Sequence, residues 1–481
     1  MQNPWRTAVS VLIGTACVAL LLPALSRAGG SKPAPVKVTF GPNINLSVQP
    51  NSQGKVQREN TIAVNPTDPD NLVQGNMDHV PKPYLRNCSF SFSFDGGKTW
   101  TFGGSVPREA ADDSTGDPAL TADADGNFYY SYLDNNSASA RHDLVVARST
   151  DGGRTFPGFS VVFRGTFDRG TYTGARPDKD YIAADSWAGS PYRNNVYVAW
   201  TNLIARLGYQ ITVAVSRDGG TTWSDPIAIT PPSATDVLLD ALPVVGPDGT
   251  VYLFYDGEPI DGAGPASIRF AKSTDGGQTW TAPQDVAANL PGPASFRLKN
   301  SDPHWYEKEI GGIFASSYPT AAVSADGTIF VAWTDLTNGS CIDDGSTWRP
   351  CTNPDVWLAF SKNGGRTWSA PIKVSDETNA TDQFFPWLAV HPNGLVSLSW
   401  VDKRLDPDNV NYDVYYTNTF DGVSFLPNVR VTTATSLSGN LQTEIMDYNG
   451  MAATADSVFP VWTDMRTGNP DIYVAAGRLK P

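Results

Sequence analysis

Beyond residue 30 no stretch of useful length carries the three-to-four-residue apolar period of a helix. What recurs instead is an apolar strand, a tight polar turn and a second apolar strand. It reads ALTADADGNFYYSY at 119–132, LPVVGPDGTVYLFY at 242–255, TAAVSADGTIFVAW at 320–333 and WLAVHPNGLVSLSW at 387–400. Variant copies are TIAVNPTDPDNLVQGN at 61–76, YIAADSWAGSPYRNNVYVAW at 181–200 and MAATADSVFPVW at 451–462. The Gly in the turns supplies the positive φ that a tight hairpin requires. Self-similarity at this spacing predicts an all-β repeat architecture with seven strand pairs.

A second motif follows most of these pairs. It stands as SFDGGKTW at 93–100, STDGGRTF at 149–156, SRDGGTTW at 216–223 and STDGGQTW at 273–280. SKNGGRTW at 361–368 carries Asn363 in place of Asp, and TFDGVSF at 419–425 is one residue short. The carboxylates of Asp95, Asp151, Asp218, Asp275 and Asp421 are suited to accept bonds from turn N–H groups, and the final Trp or Phe to plug a gap between sheets. The motif is similar to the Asp-box, or bacterial neuraminidase repeat, of sialidase-like β-propellers. That resemblance implies a propeller with the boxes on the face away from any active site, and so a structural role for Asp95, Asp151, Asp218, Asp275, Asn363 and Asp421.

Seven strand pairs stand against six boxes. The last pair runs on into DIYVA at 471–475, and PVKVTF at 35–40 resembles the segments PIKVS at 371–375 and VRVTT at 429–433 that follow other boxes. Val36–Val38 is therefore expected to complete the last blade, which would leave no open sheet edge between the chain ends. Seven blades is the expectation and six plus an extra sheet the alternative, since known sialidase propellers have six. One domain over 29–481 is expected, with long connections inserted at 281–317 and 336–355.

Composition narrows the function. The first 28 residues read as an export signal, with Arg6, an apolar run from Ala8 to Leu25 and small residues Ser26 and Ala28 before Gly29. An uncleaved anchor is the alternative. Cleavage would expose the chain to an oxidising, secreted or periplasmic setting, with no membrane span remaining. The chain carries a net charge of −14, or −16 without Arg6 and Arg27, which excludes nucleic acid as a natural partner. Cys341 and Cys351 bracket a Gly/Asp-rich loop and are placed to form a disulfide, while Cys88 falls in a predicted strand as a buried thiol. The four His stand at no metal-ligand spacing. DADGN at 123–127 falls on the repeated hairpin turn, which explains it better than calcium binding does. No cofactor or metal is expected, and a monomer is.

Residues that break the repeat mark the candidate site. After the second strand an Asp or Asn recurs at Asp78, Asp134, Asn202, Asp256, Asp335, Asp402 and Asp464, and the recurrence favours local capping. Before the first strand the residues differ from repeat to repeat: Arg58-Glu59-Asn60, Asp117, Asp178-Lys179-Asp180-Tyr181, Asp240, Gln383-Phe384-Phe385, and Glu444 with Asp447-Tyr448-Asn449-Gly450. Arg404 and Arg466 follow two of the repeated Asp. Such groups suit a polar ligand such as a sugar. The sialidase resemblance implies an Arg just before the first propeller strand, where only Arg58 matches, and a nucleophilic Tyr near the start of the last blade, where Tyr448 stands. With Asp78 and Glu444 as acids, Tyr448 would form the catalytic group. Arg58, Glu59, Asp178, Lys179, Asp180, Arg404 and Arg466 would bind substrate.

Three readings are open: an exo-glycosidase of sialidase type, a non-catalytic binder of a glycan or cell-surface ligand, and a protein-interaction scaffold. Convergence of Arg58, Arg404 and Arg466 would mark the enzyme. Arginines held by the repeated Asp would mark the binder.

Overall fold

The computed structural model describes residues 34–47, 56–80, 85–109, 114–136, 138–168, 173–260, 264–291, 295–298, 314–341, 350–437 and 448–480. The expected export signal, Glu444 and the HWYEKEIGG segment lie outside them. Every described element is a strand, and no helix among them is long and apolar enough to cross a membrane.

Each sequence repeat becomes an antiparallel, four-stranded unit. In the fourth repeat, Asp236–Val245, Val251–Pro259, Ala266–Ser273 and Gln284–Leu290 pair in chain order. The fifth and sixth repeats follow the same order, from Thr320–Val323 to Ile372–Lys373 and from Gln383–Val390 to Val429–Arg430. The first three repeats run together as one twelve-stranded sheet, because Phe159–Asp168 pairs with Thr173–Ala184 and Arg86 bridges Ser114. In the last sheet Gly450–Ala453, Ser457–Asp464 and Asp471–Lys480 take Lys37–Asn45 as the fourth strand, with Val38 opposite Leu479. First strands contact one another in chain order, and Gly450–Ala453 also lies against Val56–Asn65.

The insertions are not simple loops. Gln284–Leu290, at the start of the 281–317 segment, is the fourth strand of its own repeat. Ser295–Leu298 and Phe314–Ser316 then join Ser340–Cys341 and Pro350–Thr352 in an additional four-stranded sheet built from both insertions. Cys341 and Cys351 lie opposite each other in that sheet and are disulfide-bonded. Cys88 is a free, buried thiol. The sequence shows no strand signal in these segments because the strands are very short and the two insertions that pair are far apart in the chain.

The repeated turns have one geometry. In the first, Asp95 accepts from the N–H groups of Lys98 and Thr99 at 3.0 and 2.9 Å and from the Thr99 hydroxyl at 2.6 Å, while Ser93 Oγ accepts from Gly97 N–H. Asp151, Asp218 and Asp275 repeat the Thr bonds. Asn363 keeps the backbone bond but donates its amide to Thr367 Oγ1, and Asp421 accepts from Val423 and Ser424 N–H. The second Gly of each full motif faces the preceding repeat: a methyl on Gly277 would stand 2.6 Å from Val215 Cγ2, and one on Gly97 3.2 Å from Phe459 in the last sheet. Phe156 and Trp368 likewise pack edge-on against rings of the preceding repeat, Phe90 for one and Phe254 and Phe270 for the other. DADGN is closed by its own side chains, Asp123 accepting from Asp125 and Asn127 N–H and from the Tyr129 hydroxyl.

Candidate functional site

The first strand of most repeats slips register at one place, and the residue there takes a left-handed backbone. These residues are Glu59 (φ 59°), Asp117 (53°), Lys179 (48°), Asp240 (59°) and Phe385 (53°). The position costs a side-chain-bearing residue roughly 1–2 kcal/mol, so its recurrence at one register points to a shared purpose. Tyr318 and Tyr448 stand at the same offset before their strands.

These residues meet. Glu59 Oε2 accepts from Asp117 N–H at 3.1 Å, and Asp117 Oδ2 accepts from Lys179 N–H at 2.9 Å, so each carboxylate holds the backbone of the next repeat. The Lys179 ammonium then lies 2.9 Å from the centroid of the Tyr448 ring, 4.8 Å from Tyr181 and 5.7 Å from Tyr318. Tyr181 and Tyr448 meet edge to face at 5.8 Å, and Tyr318 stacks on Phe385 at 5.7 Å. The result is a cation enclosed by three aromatic faces, an arrangement worth about 2 kcal/mol or more once water is excluded. The Lys179 Nζ makes no hydrogen bond among the described residues.

Carboxylates surround this centre. Asp180 is buried beside Ser131 and Asp117, and burial raises its acid well above the ordinary range. Asp256 is buried, and burial followed by the nearby Asp240 and Glu258 raises it likewise. Asp178 pairs with Arg176 at 3.0 Å, and Arg58 with Glu59 at 3.5 Å. No group of three or more His, Cys, Asp or Glu among the described residues could hold a metal ion.

The expected site residues therefore separate. Arg58, Glu59, Asp178, Lys179, Asp180 and Tyr448 fall in or beside the central cluster. Tyr448 is buried, its hydroxyl donates to the Pro118 carbonyl at 3.2 Å, and burial, with Glu59 and Asp117 next, pushes its phenol well above the usual value. Asp78 is buried and accepts from Asn76 Nδ2 and Gln57 Nε2.

Arg404 and Arg466 do not join this cluster. Arg404 is bound to Asp402 through Nε and Nη2, to Asp376 at 2.6 Å and to Glu377 at 3.2 Å, and it lies over the Tyr415 ring. Arg466 is bound to Asp464 at 2.7 Å and to Thr433 and Asn43, over the Tyr473 ring. Among the described residues the repeated Asp two positions earlier claims the Arg404 and Arg466 guanidiniums, while Arg58 pairs with Glu59. The same Asp caps its loop and accepts from a buried Trp indole two residues before it, as at Trp333–Asp335, Trp400–Asp402 and Trp462–Asp464.

Tyr318, Arg176 and Asp256 were missing from the expected set of ligand-contacting groups. Tyr318 could have been found by its offset before the fifth repeat. Arg176 lies in a strand extension that the hairpin pattern does not announce. Asp256 looked like one more member of a repeated cap.

No family model matches the chain. Over 144 residues it is 45% identical to a sialidase from Micromonospora viridifaciens, a stretch that is 28% of this chain and 19% of that protein, so the match spans about a fifth of the curated relative. Among solved structures it resembles in fold a protein of unknown function from Dyadobacter fermentans DSM 18053, at 13% identity over 92% of this chain and 99% of the other, with a TM-score of 0.51. The Hadza microbial sialidase Hz136 is more distant, at 16% identity over 81% and 73% of the two chains and a TM-score of 0.46.

Proposed function

We propose that the chain is a secreted, sialidase-like propeller of seven blades that binds a glycan over the central cluster without hydrolysing it. Seven strand-one neighbours in chain order, the last against the first, support the blade count. The Asp-box geometry supports the family reading, and so does the local likeness to a sialidase. The observation that carries the binding reading is the commitment of Arg404 and Arg466 to Asp402 and Asp464. Polar groups clustered among aromatic faces are the usual equipment of a carbohydrate site.

An exo-glycosidase of sialidase type is the second reading, favoured by the 45% identical stretch. It would use Tyr448 as nucleophile, Asp78 and Glu444 as acids, and Arg58 on the sugar carboxylate. Release of 4-methylumbelliferone from a sialoside by the purified protein, beside Arg58→Ala and Tyr448→Phe, separates the two. No turnover by the folded protein, with glycan-array binding that Arg58→Ala weakens, supports the binder. Turnover that both variants abolish replaces it with the enzyme.

A further inference from the structure

The central cluster has an electrostatic character that selects among glycans, an inference resting on the glycan-binding reading above. Glu59, Asp117, Asp178, Asp180, Asp240 and Asp256 stand at or near the register slips, against Arg58, Arg176 and Lys179. Arg58 and Arg176 are engaged by Glu59 and Asp178. Asp180 is 1% exposed with Ser131 and Asp117 beside it, and neither of its oxygens makes a well-aligned hydrogen bond among the described residues. The Lys179 ammonium, by contrast with the two arginines, is enclosed by ring faces, with Asp178 and Asp180 near enough to feel its charge.

An acidic sugar is recognised by forked bonds from arginines, and Arg404 and Arg466, which could supply them, are occupied elsewhere. What the centre does bind, visibly, is an ammonium: its own. Three tyrosine faces backed by carboxylates stabilise a positive charge through the ring quadrupoles and the local field. Lysine is the side chain best able to vacate such a place. Its stem is flexible and the residue as a whole is half-buried, and its buried ammonium gives up no well-aligned hydrogen bond on leaving.

We propose that the ring cage of Tyr181, Tyr318 and Tyr448, with Asp117, Asp178 and Asp180 behind it, is a cation site that Lys179 fills in the free protein, and that the ligand is a sugar bearing a free amine. The ligand ammonium takes the place of the Lys179 ammonium and adds a charge-assisted bond to Asp180, whose oxygens make no well-aligned hydrogen bond among the described residues.

The test is binding of glucosamine oligomers, N-acetylglucosamine oligomers and sialyllactose to the wild-type protein, Lys179→Ala and the shape-preserving Lys179→Met, by calorimetry at constant salt. Removing the internal competitor is expected to tighten binding of the glucosamine oligomer several-fold in both variants, with the N-acetylated oligomer at least tenfold weaker throughout. Binding of the glucosamine oligomer that is unchanged or lost in Lys179→Met, whose fold is checked by circular dichroism, overturns the inference. Preference for sialyllactose overturns the inference and leaves glycan binding standing. Absence of binding to all three and to a glycan array overturns both.

Discussion

Gly277→Ala tests the contact on which the packing of one repeat against the next rests. Gly277 has φ +81°, and an added methyl would stand 2.6 Å from Val215 Cγ2 and 3.0 Å from Tyr197 Cε1 in the preceding repeat. Both neighbours are buried and stiff, so neither can yield cheaply. The backbone cost of Ala at positive φ is roughly 1–2 kcal/mol, and overpacking adds typically about 1–3 kcal/mol. Gly327→Ala is the matched control: its φ is +79° and its added methyl meets nothing within 4 Å. Gly277→Ala should cost about 2–5 kcal/mol and Gly327→Ala about 1–2 kcal/mol. The difference of about 1–3 kcal/mol isolates the packing of the turn on its neighbour. Urea denaturation followed by tryptophan fluorescence measures both, at equal slope. Equal losses in the two variants would refute the claim that these turns wedge against the preceding sheet.

Reduction of Cys341–Cys351 should cost about 2–3 kcal/mol for a loop of this length, and because Cys351 packs in one buried cluster with Tyr318, Phe385 and Tyr448, the near-ultraviolet dichroism of the central tyrosines should change with it. Arg404→Met and Arg466→Met should lower stability by about 2–4 kcal/mol, since each leaves a buried carboxylate short of its cation, while glycan affinity stays within about twofold; calorimetry and melting separate the effects. The hydroxyls and backbone bonds of Thr222 and Thr279 hold Asp218 and Asp275 down to about 2 from an ordinary 3.8, so their stabilisation is complete above about pH 4 and lost as pH falls through 2, a loss that Thr222→Val should reduce in acid melting curves. Burial lowers His391 to about 4 from 6.5, with Nδ1–H on the Thr454 carbonyl and Nε2 accepting from Ser397. Stability should fall by on the order of 3 kcal/mol as pH drops from 6.5 through 4, and His391→Gln should flatten that slope.

The strands were legible in the sequence because their signals are local. Asp-Gly turns and alternating apolar residues such as those of 320–333 mark a hairpin without reference to anything distant. PVKVTF at 35–40 was legible by likeness to other fourth strands, and it does pair with the last strand of the chain. The additional sheet of the insertions was not, because two- to four-residue strands such as Ser340–Cys341 are made by partners, not by propensity. The site was half legible. Breaks in the repeat pointed to Glu59 and Lys179. The fate of Arg404 and Arg466 was not readable, because whether a guanidinium faces a ligand or the Asp two residues before it is decided by loop geometry. The left-handed backbone at Glu59, Asp117, Lys179 and Asp240 was equally hidden, since none of those residue types announces it.

Where a glycan binds is the central claim, and titration of the best array ligand into Asp180→Asn measures it. Asp143→Asn is the control, since Asp180 lies in the central cluster and Asp143 is paired instead with Arg164 and Arg141. A loss of about tenfold or more in Asp180→Asn with Asp143→Asn unchanged is predicted, the size expected when a charge-assisted bond to the ligand is removed. Unchanged affinity in Asp180→Asn, with both proteins folded, would contradict the central site.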